Sequence, residues 1–157
     1  MSGALVDQAE APRRTYSARV PGVVVGAAIL DGYRLLGAQR AEPAALAGGW
    51  ELPGGKVEHG ELEEDALVRE CREELGVEIA LSERIAGEFR LPVGPTGSWV
   101  LRVWTARIVR GTPRALEDHL AVRWLEPDEW YDVAWLRADL PVIDAVRAHV
   151  GLQRRAG

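Results

Sequence analysis

The segment at residues 55–77 restricts the fold of this chain more than any other. It reads GKVEHGELEEDALVRECREELGV. Its apolar residues recur at every fourth position, the spacing of one face of an α-helix: Leu67, Cys71 and Leu75. Gly76 then stands where a glycine commonly ends a helix. The segment therefore predicts a helix over 61–75 with one face packed on a core.

Apolar and β-branched runs on both sides of this helix predict a sheet. The dipeptide Asp31-Gly32 joins the first two runs and suits the positive φ angles of a tight hairpin. A bend is expected at Pro53-Gly54-Gly55, a short helical turn at 127–131 and a final helix after Asp139. The predicted strands cover residues 23–30, 33–39, 50–52, 56–58, 77–81, 83–92, 99–109 and 121–125. Together these elements predict an α+β fold, a sandwich of helices around a mixed sheet.

At 157 residues the chain has the length of one domain, and 47% hydrophobic residues supply a core. We predict a single domain over 21–152, with a mobile tail at 1–20 and a shorter tail at 153–157. The longest apolar stretch is about eight residues, too short to span a bilayer. Because Cys71 is the one cysteine, no internal disulfide can form, and a cytoplasmic location is expected. The net charge of −5 argues against a nucleic-acid polymer as partner.

Carboxylates are concentrated on the predicted helix. Nine of the 24 acidic residues lie between Glu58 and Glu78. Glu70, Glu73 and Glu74 fall within about a 100° arc beside the apolar stripe, since positions i, i+3 and i+4 are neighbours on a helix. Like charges this close repel one another unless a cation lies between them. Oxygen ligands favour Mg²⁺ or Mn²⁺, and the cysteine and histidines lack zinc spacing. The alternative interpretation is a solvated helix face.

The glycine and lysine residues before the helix do not form a phosphate-binding P-loop. That motif needs a glycine, four residues and then Gly-Lys-Ser/Thr. Trp50 occupies the first glycine position here, and Val57 follows Lys56. Lys56 is nevertheless the single lysine among 19 basic residues. Its position beside the acidic helix indicates a site that involves both.

A different pattern fits every glycine and charged position of the segment. Gly55 is followed after five residues by Glu61, and seven residues later by the run RECREELGV. This resembles the Nudix box of the nucleoside-diphosphate-linked-X hydrolases, with Cys71 where isoleucine, leucine or valine is usual. The stretches AGGWELPGGKVEHGE, AVRWLEPDEW and WLRADLPVIDAV resemble the MutT branch of that family. The resemblance covers roughly residues 22–150 and implies the Nudix fold, an α/β/α sandwich with a mixed central sheet.

The resemblance implies roles for the residues of the box. Glu70, Glu73 and Glu74 match metal-binding glutamates, and Glu70 also matches the family's proposed general base. The carbonyl of Gly54 matches a backbone metal ligand, because a glycine bend keeps side chains away from the ion. The other matched positions are expected to orient carboxylates or to shape the loop: Arg69, Gly55, Glu61 and Gly76.

A further acidic ligand is implied in a later loop, six residues before a tryptophan. That position is Asp118, before Trp124, and the adjacent Glu117 is a possible substitute. An ordinary loop aspartate is the alternative interpretation of Asp118. The tryptophans are expected in the core, with base stacking as the alternative, and the histidines are expected to be structural: Trp50, Trp124, Trp135, His59, His119 and His149.

Three more residues are implied to contact the substrate. Asp139 matches a position that places a polar side chain against the base. It could accept a hydrogen bond from the cytosine N4 amino group or, if protonated, donate one to an oxidised guanine. Its alternative role is the N-cap of the last helix. Arg40 matches a basic substrate-contacting position, with a surface salt bridge as the alternative. Lys56 matches a lysine common in the MutT branch and would help to neutralise the pyrophosphate.

The function implied by the resemblance is Mg²⁺-dependent hydrolysis of nucleoside triphosphates, with Mn²⁺ as a substitute. The substrates are CTP or dCTP, 8-oxo-dGTP, or both, and the products are nucleoside monophosphate and pyrophosphate. The biological role would be nucleotide-pool sanitation, with a small-molecule nucleotide as partner. One alternative is hydrolysis of ADP-ribose, a dinucleotide or a nucleotide sugar. Another is a non-catalytic nucleotide-binding module, although such modules commonly lose box carboxylates. Ala134 stands where an acidic residue is expected before Trp135, and the preferred base and oligomeric state stay open.

Overall fold

The computed structural model describes residues 22–93, 95 and 97–152. The predicted tails at 1–20 and 153–157 lie outside these residues. The described strands are β1 (Val23–Asp31), β2 (Arg34–Arg40), β3 (Trp50–Glu51), β4 (Gly54–Lys56), β5 (Glu78–Arg84), β6 (Phe89–Val93), β7 (Gly97–Arg110) and β8 (His119–Leu125). The described α-helices are α1 (Glu63–Leu75) and α2 (Leu140–His149). Short 3-10 turns lie at Pro127–Glu129 and Arg137–Asp139.

Several predicted strand boundaries change, two of them at turns that contain a glycine. Asp31 pairs with Arg34, so the hairpin turn lies one residue later than predicted, and its Gly32 has a φ of 61°. The prediction of one strand over 83–92 is wrong, because β5 ends at Arg84 and β6 begins at Phe89. Between them the buried Ile85 donates its N–H to the carbonyl of Val103, and Gly87 follows with a φ of 91°. This inward turn separates the two strands.

The segment before α1 also differs from the prediction. The helix begins two residues later than expected, because Glu61 closes a turn with Glu58 instead. Its carboxylate accepts the Glu58 N–H at 3.1 Å, and its own N–H donates to the Glu58 carbonyl. The bend expected at Pro53-Gly54-Gly55 is confined to Pro53, since both glycines belong to β4 and pair with Gly26 and Val25 of β1.

Strand β1 lies at the centre of a mixed sheet. It is antiparallel to β2 and β4 and parallel to β7. Strand β2 also pairs with β3 and β8, while β7 also pairs with β5 and β6. The short strands β3 and β4, together with β8, lie on the side of the sheet that contains the candidate residues Arg40, Gly54 and Asp118.

Alternate residues of β1 face two separate cores. Val25, Ala27 and Ile29 pack against the inner face of α1. Ala28, on the opposite face, belongs to a core that includes α2. Because helices cover both faces, the strand is apolar throughout rather than alternating. The α+β sandwich is therefore confirmed. No helix in the described part of the chain is long and apolar enough to span a membrane.

Candidate active site

Two carboxylates of α1 lie directly against the glycine strand β4. The backbone N–H of Gly54 donates to Glu74 Oε2 at 3.0 Å. At Gly55, a Cβ atom would lie only 2.4 Å from the carboxyl carbon of Glu70. The missing side chain is therefore what lets Glu70 approach the strand. The pairing of β4 with β1 fixes the strand, and the packing of α1 on the core fixes the carboxylates.

Arg69 ties the carboxylates of the box together. Its Nε donates to Glu61 Oε2 at 2.8 Å and its Nη2 to Glu61 Oε1 at 3.0 Å. Its Nη1 donates to Glu70 at 3.0 Å and to Glu73 at 3.2 Å. Its Nη2 also reaches the carbonyl of Lys56 at 3.1 Å. The arginine thus supplies positive charge among three acidic side chains and joins them to β4.

Burial opposes ionisation of the inner carboxylates. It raises the pKa of Glu70, and this effect exceeds the opposing hydrogen bond and charge of Arg69. It also raises the pKa of Glu74 to about 8, although the Gly54 N–H and the charge of His119 act in the other direction. The thiol pKa of Cys71 is raised by the same burial. Without a bound cation, Glu74 is therefore largely protonated at neutral pH.

The donor atoms are of the type that a hard divalent cation prefers, but they are not already arranged around a single ion position. Among the described residues, no three Asp, Glu, His or Cys side chains already form a metal-binding group. The reason is that Arg69 holds Glu70 and Glu73, while Glu74 holds the Gly54 N–H. The donors are nevertheless all oxygen, as Mg²⁺ prefers, and the space at Gly55 admits a carboxylate beside the backbone. The residues fit such an ion.

The loop before β8 brings Glu117 towards the same carboxylates. The Leu116 N–H donates to the carbonyl of Glu74 at 3.0 Å, which fixes the loop to the end of α1. Glu117 has a φ of 50°, unusual for a residue other than glycine. Its charge contributes to the raised pKa of Glu70. The sequence resemblance favoured Asp118 over Glu117 as the further acidic ligand. The charge that acts on Glu70 is instead that of Glu117.

A second polar group lies beside this site and centres on Glu51. Arg40 Nη1 lies 2.9 Å from Glu51 Oε2, and the Arg40 Nε donates to the carbonyl of Glu42 at 2.7 Å. His119 Nε2 lies 2.9 Å from the same Glu51 oxygen. Arg40 therefore makes a salt bridge, as its alternative interpretation required, but a half-buried one. Sequence reasoning missed Glu51, whose only signal is a charge between Trp50 and Leu52 of a short apolar strand.

Asp139 is half-buried and does not cap α2. It directly precedes the helix but has helical backbone angles, φ −84° and ψ −21°, and makes no side-chain capping bond. The capping interpretation is therefore wrong, because the preceding 3-10 turn runs straight into the helix. The carboxylate is instead bonded to the backbone of Leu52. Burial, helped by the charge of Glu51, raises the pKa of Asp139 to about 7. Asp139 thus changes protonation near neutrality.

The other predicted residues take varied positions. The ammonium of Lys56 lies 4.6 Å from the centre of the Trp99 ring, a cation–π contact at the surface. Trp135 is buried and donates its indole N–H to the carbonyl of Trp130, the largest fully buried side chain. Trp50 and Trp124 are half-buried, His59 is exposed, and His149 lies 3.5 Å from Glu83 on the far side of the sheet.

Known proteins share this arrangement of sheet and box. The NUDIX domain family matches residues 20–145. A Mycobacterium tuberculosis relative, named as a candidate 8-oxo-dGTP diphosphatase, is 44% identical over 120 residues, which cover 74% of this chain and 82% of the relative. The CTP pyrophosphohydrolase of Escherichia coli is 39% identical over 125 residues, which cover 80% and 90%. The crystal structure of a MutT NUDIX hydrolase from Burkholderia pseudomallei has a TM-score of 0.69 at 33% identity and covers 82% of this chain and 99% of that one. The family match over most of the chain, together with these relatives, shows that the chain belongs to the Nudix family.

Proposed function

We propose that this protein is a pyrophosphohydrolase of nucleoside triphosphates, acting on CTP or dCTP, on 8-oxo-dGTP, or on both. The observation that carries the proposal is the complete box, in which the carboxylates of Glu70 and Glu74 lie against the glycine strand. The relatives named for CTP and for 8-oxo-dGTP support the substrate class. The biological role would be removal of unwanted nucleotides from the pool.

The proposed site uses a divalent cation, Mg²⁺ by preference and Mn²⁺ as a substitute. Glu70, Glu73 and Glu74 would hold it together with the carbonyl of Gly54. The loop before β8 would add one more carboxylate, and the charge that Glu117 exerts on Glu70 favours Glu117 over Asp118. When bound, such an ion supplies positive charge that stabilises the phosphoryl oxygens in the transition state.

The chain's own residues would move the proton and orient the reacting groups. Glu70 would take a proton from the attacking water, since its carboxylate lies against the glycine strand where the cation would be held. The water attacks the β-phosphorus, its oxygen stays on the pyrophosphate, and the bridging oxygen leaves with the monophosphate. Arg69 would keep Glu70 and Glu73 in place through its bonds to both. Lys56 stays a predicted phosphate contact.

Asp139 is the proposed contact to the base, and its protonation decides which base it favours. Below about pH 7 the carboxyl can donate a hydrogen bond to an oxidised guanine, and above that pH the carboxylate can accept one from the cytosine amino group.

We expect the ratio of kcat/KM for dCTP to that for 8-oxo-dGTP to rise about tenfold from pH 6 to pH 8. Asp139→Asn should make this ratio independent of pH. The exposed Asp128→Asn is the control. If Asp139→Asn kept the wild-type dependence of this ratio on pH, the base contact would be excluded.

A nucleotide panel tests the proposed function. The protein is incubated with Mg²⁺ at about pH 8.5, where Glu74 is ionised, and the products are separated by ion exchange. Monophosphate and pyrophosphate are expected from dCTP, CTP or 8-oxo-dGTP. If all three stay intact while ADP-ribose, a dinucleotide or a nucleotide sugar is cleaved, the substrate class is wrong. If nothing is cleaved, the chain is a non-catalytic member of its family.

A further inference from the structure

We propose that His119 is a positioning residue, whose bond to Glu51 holds the loop of Glu117 and Asp118 against the carboxylates of α1. The inference rests on the proposed function, because it concerns the same cation-dependent site. It gives a role to two residues that have none in the reaction described above. His119 would touch neither substrate nor cation and would act only through the loop that precedes it.

The imidazole of His119 is enclosed and has one anchor. Its side chain is 2% exposed, and Nε2 lies 2.9 Å from Glu51 Oε2. The second ring nitrogen, Nδ1, is also buried and has no hydrogen-bond partner among the described residues. Buried polar atoms normally have partners, so an unsatisfied nitrogen is a cost that a purely structural side chain would avoid. The orientation of the ring therefore depends on Glu51.

Glu51 joins three strands at the edge of the site. It belongs to β3 and accepts hydrogen bonds from Arg40 of β2 and from His119 of β8 at the same oxygen. Arg40 and His119 also face each other across β2 and β8, just after a register shift between Gln39 and Arg40. Such irregularities re-aim side chains near active sites. The carboxylate of Glu51 thus fixes the position at which the loop ends and β8 begins.

The loop next to His119 has a conformation that needs support. The φ of 50° at Glu117 is unfavourable for a residue other than glycine, unless the surroundings hold it. The His119 N–H donates to the Glu117 carbonyl at 2.8 Å, and the Ala41 N–H to the Asp118 carbonyl at 2.7 Å. With His119 fixed by Glu51, the turn cannot relax without breaking these bonds. The Glu117 charge then stays close to Glu70.

The test measures Mn²⁺ binding to the protein without nucleotide, from the electron paramagnetic resonance signal of the free ion. His119→Leu keeps the buried volume but removes the bond to Glu51, whereas His119→Gln keeps a donor near the position of Nε2. We expect His119→Leu to weaken Mn²⁺ binding by about 10-fold to 100-fold, the usual range for an outer-shell residue. His119→Gln should restore most of the affinity.

The chain offers a matched control in a second histidine–glutamate pair. His149 Nε2 lies 3.5 Å from Glu83, between α2 and β5, and neither residue belongs to the site. His149→Leu is the same chemical change and should leave Mn²⁺ binding unchanged. If His119→Leu does not fold, as judged by circular dichroism, Glu51→Met removes the same bond from its other end at similar volume and should also weaken binding.

Three results would overturn the proposal. The first is wild-type affinity in a folded His119→Leu, or in Glu51→Met when that variant replaces it. The second is a His119→Gln protein that binds as weakly as His119→Leu. The third is a wild-type protein that binds no Mn²⁺, which would overturn the proposed function as well. A wild-type protein that binds Mn²⁺ but leaves every nucleotide intact would overturn only the proposed function.

Discussion

Glu70→Gln is expected to lower kcat for nucleotide hydrolysis by about 10²-fold to 10⁴-fold, the usual contribution of a general base. Glutamine has nearly the same shape and can still accept the Arg69 hydrogen bond at 3.0 Å, but it cannot take a proton from water. The fold and nucleotide binding should therefore persist. Steady-state kinetics with dCTP and 8-oxo-dGTP, together with thermal denaturation, separate the two effects.

Glu64→Gln provides the control for this change. Glu64 lies on the same helix, but its side chain faces solvent. Its variant should retain wild-type kinetics, since removing an exposed charge alters little beyond the surface potential. A Glu70→Gln protein with more than about half of the wild-type kcat would rule out Glu70 as the proton acceptor.

Gly54→Ala is expected to have the largest effect on stability. A Cβ atom at this position would lie 1.9 Å from the carbonyl oxygen of Val25 and 2.9 Å from the Cα of Gly26. These are backbone atoms that cannot rotate away, so β4 would have to move off β1. Overpacking of this kind costs about 3 kcal/mol or more in free energy of unfolding. The shift would also break the bond from the Gly54 N–H to Glu74. Urea denaturation measures the loss as a lower midpoint.

Gly26→Ala is the matched control because Gly26 faces Gly54 across the strand pair. A Cβ atom at Gly26 meets its nearest neighbours, on Leu101 and Val103, at 3.5 and 3.8 Å, which are ordinary contacts. Its free energy of unfolding should change by less than about 1 kcal/mol. Equal denaturation midpoints for Gly54→Ala and the wild type would show that β4 can move without cost, contrary to the packing described here.

The sequence predicted the features that depend on short spacings. The apolar stripe of α1, its glycine end and the clustered carboxylates all follow from positions three and four residues apart. It could not predict which loop carboxylate acts electrostatically on Glu70, because that depends on the backbone at Glu117. The bond between Glu51 and His119 joins residues 68 positions apart and could not be predicted either. Asp139 failed as a cap for a similar reason, since the preceding turn sets its backbone angles.

The central position of β1 has a consequence for the order in which the molecule folds. Its parallel partner is β7, with Val23 opposite Val100 and Ile29 opposite Ala106. Long-range parallel pairing is slow, because a long loop must close before any contact repays the lost entropy. Strand β1 also holds Gly54 in place through Gly26. The carboxylates sit on a helix that is local in sequence, yet we expect their assembly into a site at a late stage of folding.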